Sequence, residues 1–256
     1  MTVRRTLLVD NGSLNPRATL RLRELADELA SLLGRPVDPV SALHSDKLDP
    51  ALLGGVPART FEPYAREAKA AGATTLEVVP LFIGPSLAIT EFLPELARKV
   101  GIGLEVRPPL AGAGREDALA AILADNLLAS GWRPGSGDVL LCDHGSPIPA
   151  VTAVREDLAA RLRRRFSLGA DQLVGCAMER REGPAYAFNE PMLADVASRQ
   201  TGDFTVLMLF LLPGRHAGPG GDVDTLCREH APPGVAWRLS PLLAEHPGLM
   251  RLAAGA

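Results

Sequence analysis

The chain matches itself. Thr6-Leu-Leu-Val-Asp-Asn-Gly-Ser13 aligns with Val139-Leu-Leu-Cys-Asp-His-Gly-Ser146, and Val78-Val-Pro-Leu-Phe-Ile83 aligns with Val206-Leu-Met-Leu-Phe-Leu211. Val106-Arg-Pro-Pro-Leu110 resembles Trp237-Arg-Leu-Ser-Pro-Leu242. The matches keep their order at a spacing of about 130 residues, far longer than a solenoid repeat. This is the signature of a duplicated domain, with halves 1–132 and 133–256. The join falls in Ser130-Gly-Trp-Arg-Pro-Gly-Ser-Gly137, which has the composition of a linker. A chain so constrained must adopt a fold that each half can build once.

Each half repeats one plan. A buried strand (6–10; 139–143) leads through a Gly-Ser turn into a helix (18–33; 150–166). In the first of these helices, Leu20, Leu22, Leu25, Leu29, Leu32 and Leu33 fall close to one face. A second strand (37–43; 172–178), a helix (61–71; 191–200) and a third strand (75–83; 204–212) follow. A further helix and a short last strand (104–107; 235–239) complete the half. Strands alternating with helices predict an α/β fold of two tandem doubly wound, mostly parallel-sheet domains. Ligands in such sheets bind at the carboxyl ends of the strands. The Gly-Ser turns and the loops after Phe82 and Phe210 lie at such ends.

Composition narrows the function classes. Of 256 residues, 46% are hydrophobic and 22% charged, enough apolar chain for a sizeable core. The formal net charge of -3 argues against a nucleic-acid or anionic-membrane partner. No apolar run is long enough to span a membrane, and the N-terminal run is too short for a secretory signal. Cys142, Cys176 and Cys227 are widely spaced with no CxxC pair, so a zinc ribbon or iron–sulfur cluster is not indicated. Reduced, buried thiols are expected, and with them a cytoplasmic protein.

The chemistry lies where the halves differ. The second half has His144 after its first strand and His216 after its third; the first half has Asn11 and Ala88 at the matching positions. Two imidazoles meeting at one strand-end site form a metal-binding or proton-transfer pair. Asn11 and Ala88 can do neither job near neutral pH. His44, by its alignment with Glu179, brings a possible contribution from the first half, while His230 and His246 read as loop residues.

Asp143-His144-Gly-Ser-Pro-Ile-Pro149 resembles the strand-end HGS motif of the class II tetrapyrrole chelatases, and Leu209-Phe-Leu-Leu-Pro-Gly-Arg-His216 followed by Asp222 resembles their second histidine motif. The resemblance covers both halves and implies two similar α/β domains facing across a cleft, in the duplicated form of the family. It implies that His144 and His216 bind the incoming metal and handle pyrrole protons. It adds a carboxylate after the second strand: Glu179 at the strand end, with Glu182 and Glu190 as alternatives. The substrates implied are a tetrapyrrole and a divalent metal (cobalt, iron or nickel), with no permanently bound cofactor. Arg215 and the Gly145-Ser146 turn are candidates to meet the substrate's carboxylates. A monomer suffices, since each half has its partner, and a homodimer is compatible.

The expected activity is ATP-independent insertion of Co²⁺ or Fe²⁺ into sirohydrochlorin or a related tetrapyrrole, serving cobalamin or sirohaem synthesis. The absence of a Walker A pattern agrees with it. A non-catalytic tetrapyrrole or metal carrier of the same fold is the alternative. An unrelated hydrolase with Ser146 as nucleophile lacks the GxSxG elbow.

Overall fold

The computed structural model describes residues 3–255. The first unit contains strands β1 (Arg4–Asp10), β2 (Asp38–Ser41), β3 (Thr75–Pro80) and β4 (Gly103–Val106), with helices α1 (Pro16–Leu33), α2 (Phe61–Ala70) and α3 (Leu93–Val100). Helix α4 (Glu116–Ala129) comes next. The second unit holds β5 (Asp138–Asp143), β6 (Leu173–Ala177), β7 (Phe204–Met208) and β8 (Trp237–Leu239), with α5 (Pro149–Phe166), α6 (Leu193–Ala197) and α7 (Asp222–His230). Helix α8 (Leu249–Ala254) is the last element among the described residues.

Each unit is built on a four-stranded, all-parallel sheet, ordered β2-β1-β3-β4 in one and β6-β5-β7-β8 in the other. The central strands β1 and β5 are buried along their apolar length, as strands covered on both faces must be. One apolar cluster of each unit joins the sheet to the β2–β3 and β3–β4 helices, or to their counterparts. All three cysteines are free and buried in the second cluster, and burial pushes the Cys227 thiol up to about 12. No described helix is long and apolar enough to cross a membrane.

Packing divides the chain somewhat differently from the duplication. One compact unit runs to Ala113 and takes in the C-terminal residues from Met250; the other is Gly114–Leu249. Helix α4, which precedes the join at 132/133, packs against α5 and β7 of the second unit. The last helix, α8, belongs with the first, where Ala254 accepts a hydrogen bond from Arg107.

Three expectations from the sequence are corrected. The third strands stop at Pro80 and Met208 rather than at 83 and 212. Their neighbours end first, at Val106 and Leu239, and prolines (Pro108, Pro109, Pro241) with no N–H to donate follow. The apolar runs continue extended beyond the strands, with Phe82 O, Ile83 O, Phe210 O and Leu211 O accepting from Leu110, Ala111, Leu243 and Ala244. The helix expected over 191–200 is only Leu193–Ala197, because Pro191 O accepts from Ala177 N and Met192 bridges to β6. His44 does not occupy the position of Glu179. Leu43 N donates to Asn11 O as Glu179 N donates to His144 O, so Leu43 is the counterpart of Glu179.

Candidate functional site

The site starts from a glycine. Gly145 has φ 92°, in the left-handed region, and a Cβ there would lie 1.9 Å from Glu179 O. Only glycine lets the β5–α5 turn close onto the backbone at the end of β6. Gly12 has the same φ and the same approach, to Leu43 O, in the first unit. The contact brings His144 beside Glu179, with His144 Nε2 to Glu179 Oε1 at 3.3 Å.

His216 arrives from the loop after β7. The first N–H groups of α7 hold this loop: Asp222 N and Val223 N donate to Arg215 O and His216 O, and Val223 is fully buried. The helix start thereby places the Asp222 carboxylate 2.7 Å from His216 Nδ1. The two imidazoles meet edge to face, with ring centroids 4.7 Å apart and planes at 77°.

The partners define the tautomer of His216. His144 Nδ1 lies 3.2 Å from Gly145 O, and His216 Nδ1 faces the Asp222 carboxylate. A carboxylate can only accept, so Nδ1 carries the proton in His216; His144 has an acceptor at each nitrogen, Gly145 O at Nδ1 and Glu179 Oε1 at Nε2, and its partners do not select one tautomer. The neutral His216 ring then presents a lone pair on Nε2, while His144 Nε2 faces Glu179. Protonation of His144 at Nε2 creates an ion pair with Glu179; Asp222 stabilises His216 in either state. Both histidines, Glu179 and Asp222 reach solvent. A 260 Å³ cavity lined by Met178, Glu179, Asp222, Thr225 and Leu226 lies against the two carboxylates. Among the described residues, no three His, Cys, Asp or Glu side chains are already gathered as a metal shell.

The other candidates are dispersed. Glu190 pairs with Arg180 Nη2 at 3.2 Å rather than with a histidine, and Glu182 is exposed. Arg215 is 84% exposed at its side chain, with Nε 3.4 Å from the Asp222 carboxylate. The turn's N–H groups are not free for a substrate, contrary to expectation: Gly145 N donates to Asp143 Oδ1 and Ser146 N to Asn189 Oδ1. Ser146 Oγ accepts from Ile148 N, a turn also made by Ser13 and Asn15 in the first unit. His246 pairs with Asp125.

Two features escaped the sequence. Asp222 was part of the second motif, and its bond to His216 is seen only once α7 begins at that residue. Under the turn lies a buried polar network. Arg155, 0% exposed, donates to Asp143 Oδ1 and Asn189 O at 3.1 Å each, and to Glu156 Oε1 at 2.9 Å. The one available signal was a charge at the position of Leu22 on a helix face otherwise repeated between the halves.

No family model matches the sequence, and no curated protein does. Solved structures do match. SirB from Bacillus subtilis with Fe³⁺ superposes with a TM-score of 0.69 at 17% identity, over 99% of this chain and 94% of that one. The sirohydrochlorin chelatase SirB from Bacillus subtilis subspecies spizizenii, in complex with cobalt, gives 0.64 at 18%, over 99% and 93%. CbiX, described as the terminal enzyme for biosynthesis of siroheme in denitrifying bacteria, gives 0.67 at 16%, over 98% and 97%. The chain therefore has a class II chelatase-like fold along its whole described length.

Proposed function

We propose that this protein is a metal chelatase: it inserts a divalent metal ion into a tetrapyrrole without consuming a nucleotide. The observation that carries the reading is the His144–His216 pair, each ring paired with its own carboxylate, Glu179 at His144 Nε2 and Asp222 at His216 Nδ1. The fold shared with sirohydrochlorin chelatases supports it.

The chemistry follows from proton bookkeeping at the ring. A free tetrapyrrole holds two N–H protons where the metal must sit. Insertion places M²⁺ on the four nitrogens and releases two H⁺. A neutral imidazole, with a reference pKa of about 6.5, can hold the metal or take a proton near neutral pH. Each neutral ring offers one nitrogen lone pair, Nε2 in His216, and Glu179 and Asp222 stabilise the imidazolium forms and pass protons to water. A site with few protein ligands suits a metal that must leave for the macrocycle. Imidazole does not choose among cobalt, nickel and iron. Arg215, the exposed cation beside His216, is the group to meet a substrate carboxylate.

The finer reading is Co²⁺ or Fe²⁺ insertion into sirohydrochlorin, for cobalamin or sirohaem synthesis, by a cytoplasmic protein with reduced thiols. The halves 1–132 and 133–256 are read as an ancestral repeat of which only the second kept its histidines. Anaerobic absorption spectroscopy with sirohydrochlorin and Co²⁺ or Fe²⁺ tests it. Protein-dependent acceleration of the metallated spectrum is the expected result. Pigment binding without acceleration would make the protein a carrier instead.

Asp222 gives a smaller expected effect. Asp222→Asn keeps the shape but permits the wrong His216 tautomer, so insertion should slow roughly 10-fold or more with the melting temperature little changed. Steady-state rates beside thermal unfolding would check it.

A further inference from the structure

The half that carries the histidines also carries a buried arginine, and the other half has neither. The turns and following helices of the two units correspond residue by residue. Thr19, Leu22, Leu25, Ala26 and Leu29 are buried on α1 as Thr152, Arg155, Leu158, Ala159 and Leu162 are on α5. Along this shared face one apolar residue, Leu22, has a charged counterpart, Arg155.

A fully buried guanidinium is costly unless its bonds are filled, and these are. Arg155 ties Asp143, directly before His144, to Asn189 O on the segment leading into α6. Asn189, also 0% exposed, closes the other side of the turn: its amide accepts from Ser146 N and Thr152 Oγ1 and donates to Ser146 O. Asp143 in turn accepts from Gly145 N. His144 thus sits on a turn whose preceding and following residues are bound to one buried framework. In the first unit Ser45 Oγ bonds Ser13 N, Ser13 O and Ser41 Oγ, and Leu22 stands at the position of the guanidinium.

We propose that Arg155 and Asn189 are positioning residues for His144: they hold the Asp143–Ser146 turn so that the ring stands edge to face with His216 and Nε2 faces Glu179. The kinetic part rests on the chelatase reading above; the positional part does not. An exposed side chain on a turn samples several rotamers, and misplacing a reacting group by about 1 Å can cost on the order of 100-fold in rate.

The test uses Arg155→Leu, which copies the Leu22–Asp10 arrangement with which the first unit folds, and Asn189→Ala. Histidine Cε1–H NMR signals of the full chain, assigned with His144→Ala, report the ring contact directly. The expected result is that the mutual ring-current displacement of the His144 and His216 signals collapses in both variants. The maximal insertion rate should fall roughly 10- to 100-fold. The tetrapyrrole KM should stay within about threefold, since ground-state binding is untouched. Arg155→Lys, which keeps the charge without the fork, should recover part of the rate. If the histidine signals and the maximal rate stay at wild-type values while only the melting temperature drops, the network is structural and the proposal is wrong. Should Arg155→Leu fail to fold, Asn189→Ala decides alone. If the wild-type protein inserts no metal, the NMR signals still decide the positioning, and the chelatase reading fails separately.

Discussion

His144→Ala is expected to reduce metal insertion by roughly 10²–10⁴-fold, the range by which a positioned general base accelerates proton transfer. The side chain is about half exposed, so its removal leaves no cavity in the core. Its backbone bond from Glu179 N to His144 O survives in alanine. Folding should therefore be retained, and the loss should lie in the chemistry. His216→Ala should cost a comparable factor, and the double variant little more than either single one, because groups acting as one unit are not additive. Anaerobic stopped-flow spectra of the metallated product, with circular dichroism as the fold control, measure this. Near-wild-type insertion by His144→Ala would remove the pair from the mechanism.

The same two histidines show how far residues alone could lead. The duplication exposes them by contrast, since Asn11 stands where His144 does. Strand ends place both at one edge of a parallel sheet, and the structure does bring the rings together. What pattern could not supply is register between distant segments. The Glu179 position depends on how the β6 end meets Gly145, and an alignment one residue out put His44 where Leu43 belongs. Asn189 carries no motif, yet its amide clamps Ser146 across 43 residues of chain. Arg155 reads as an ordinary helix charge until the burial of its face is known. Strand lengths erred for a similar reason: apolar runs tell that a segment is buried, and the neighbouring strand decides where the ladder ends.

The clearest thermodynamic consequence of the broken symmetry is that one substitution should have opposite effects in the two units. Asp10 and Asp143 end the equivalent central strands, and both are about 6% exposed. Asp143 has Arg155; in the first unit the matching helix position is Leu22, and Asp10 Oδ1 has no hydrogen-bond partner. Burial raises the Asp10 carboxyl to about 6, only partly opposed by hydrogen bonds from Ser41 and Gly12. In the unfolded chain the group titrates near its ordinary value of 3.8. A folded-state pKa above the unfolded one means that the folded protein holds the proton more tightly. The penalty is absent below about pH 4, grows between about 4 and 6, and is complete above about 6; at 1.36 kcal/mol per unit it reaches about 3 kcal/mol.

Asp10→Asn removes that penalty. It should stabilise the first unit by up to about 3 kcal/mol at pH 7.5 and by almost nothing at pH 4. Asp143→Asn does the reverse. Burial also raises the Asp143 carboxyl, against the pull of Arg155, so the pair is no large source of stability. Removing the carboxylate nonetheless strands a fully buried guanidinium with only Glu156 as an ionic partner, a loss of about 3–5 kcal/mol. Because the two units need not unfold together, the measurement should resolve them: native-state hydrogen exchange of peptides from β1 and from β5, at pH 4.5 and 7.5. Protection of β1 should rise in Asp10→Asn at the higher pH, and protection of β5 should fall in Asp143→Asn at both. Equal effects of the two substitutions would mean that the arginine is not what distinguishes the two halves. Opposite signs would show that the buried charge pair beneath the His144 turn stabilises its unit, while Asp10 is a buried carboxylate that its own core opposes.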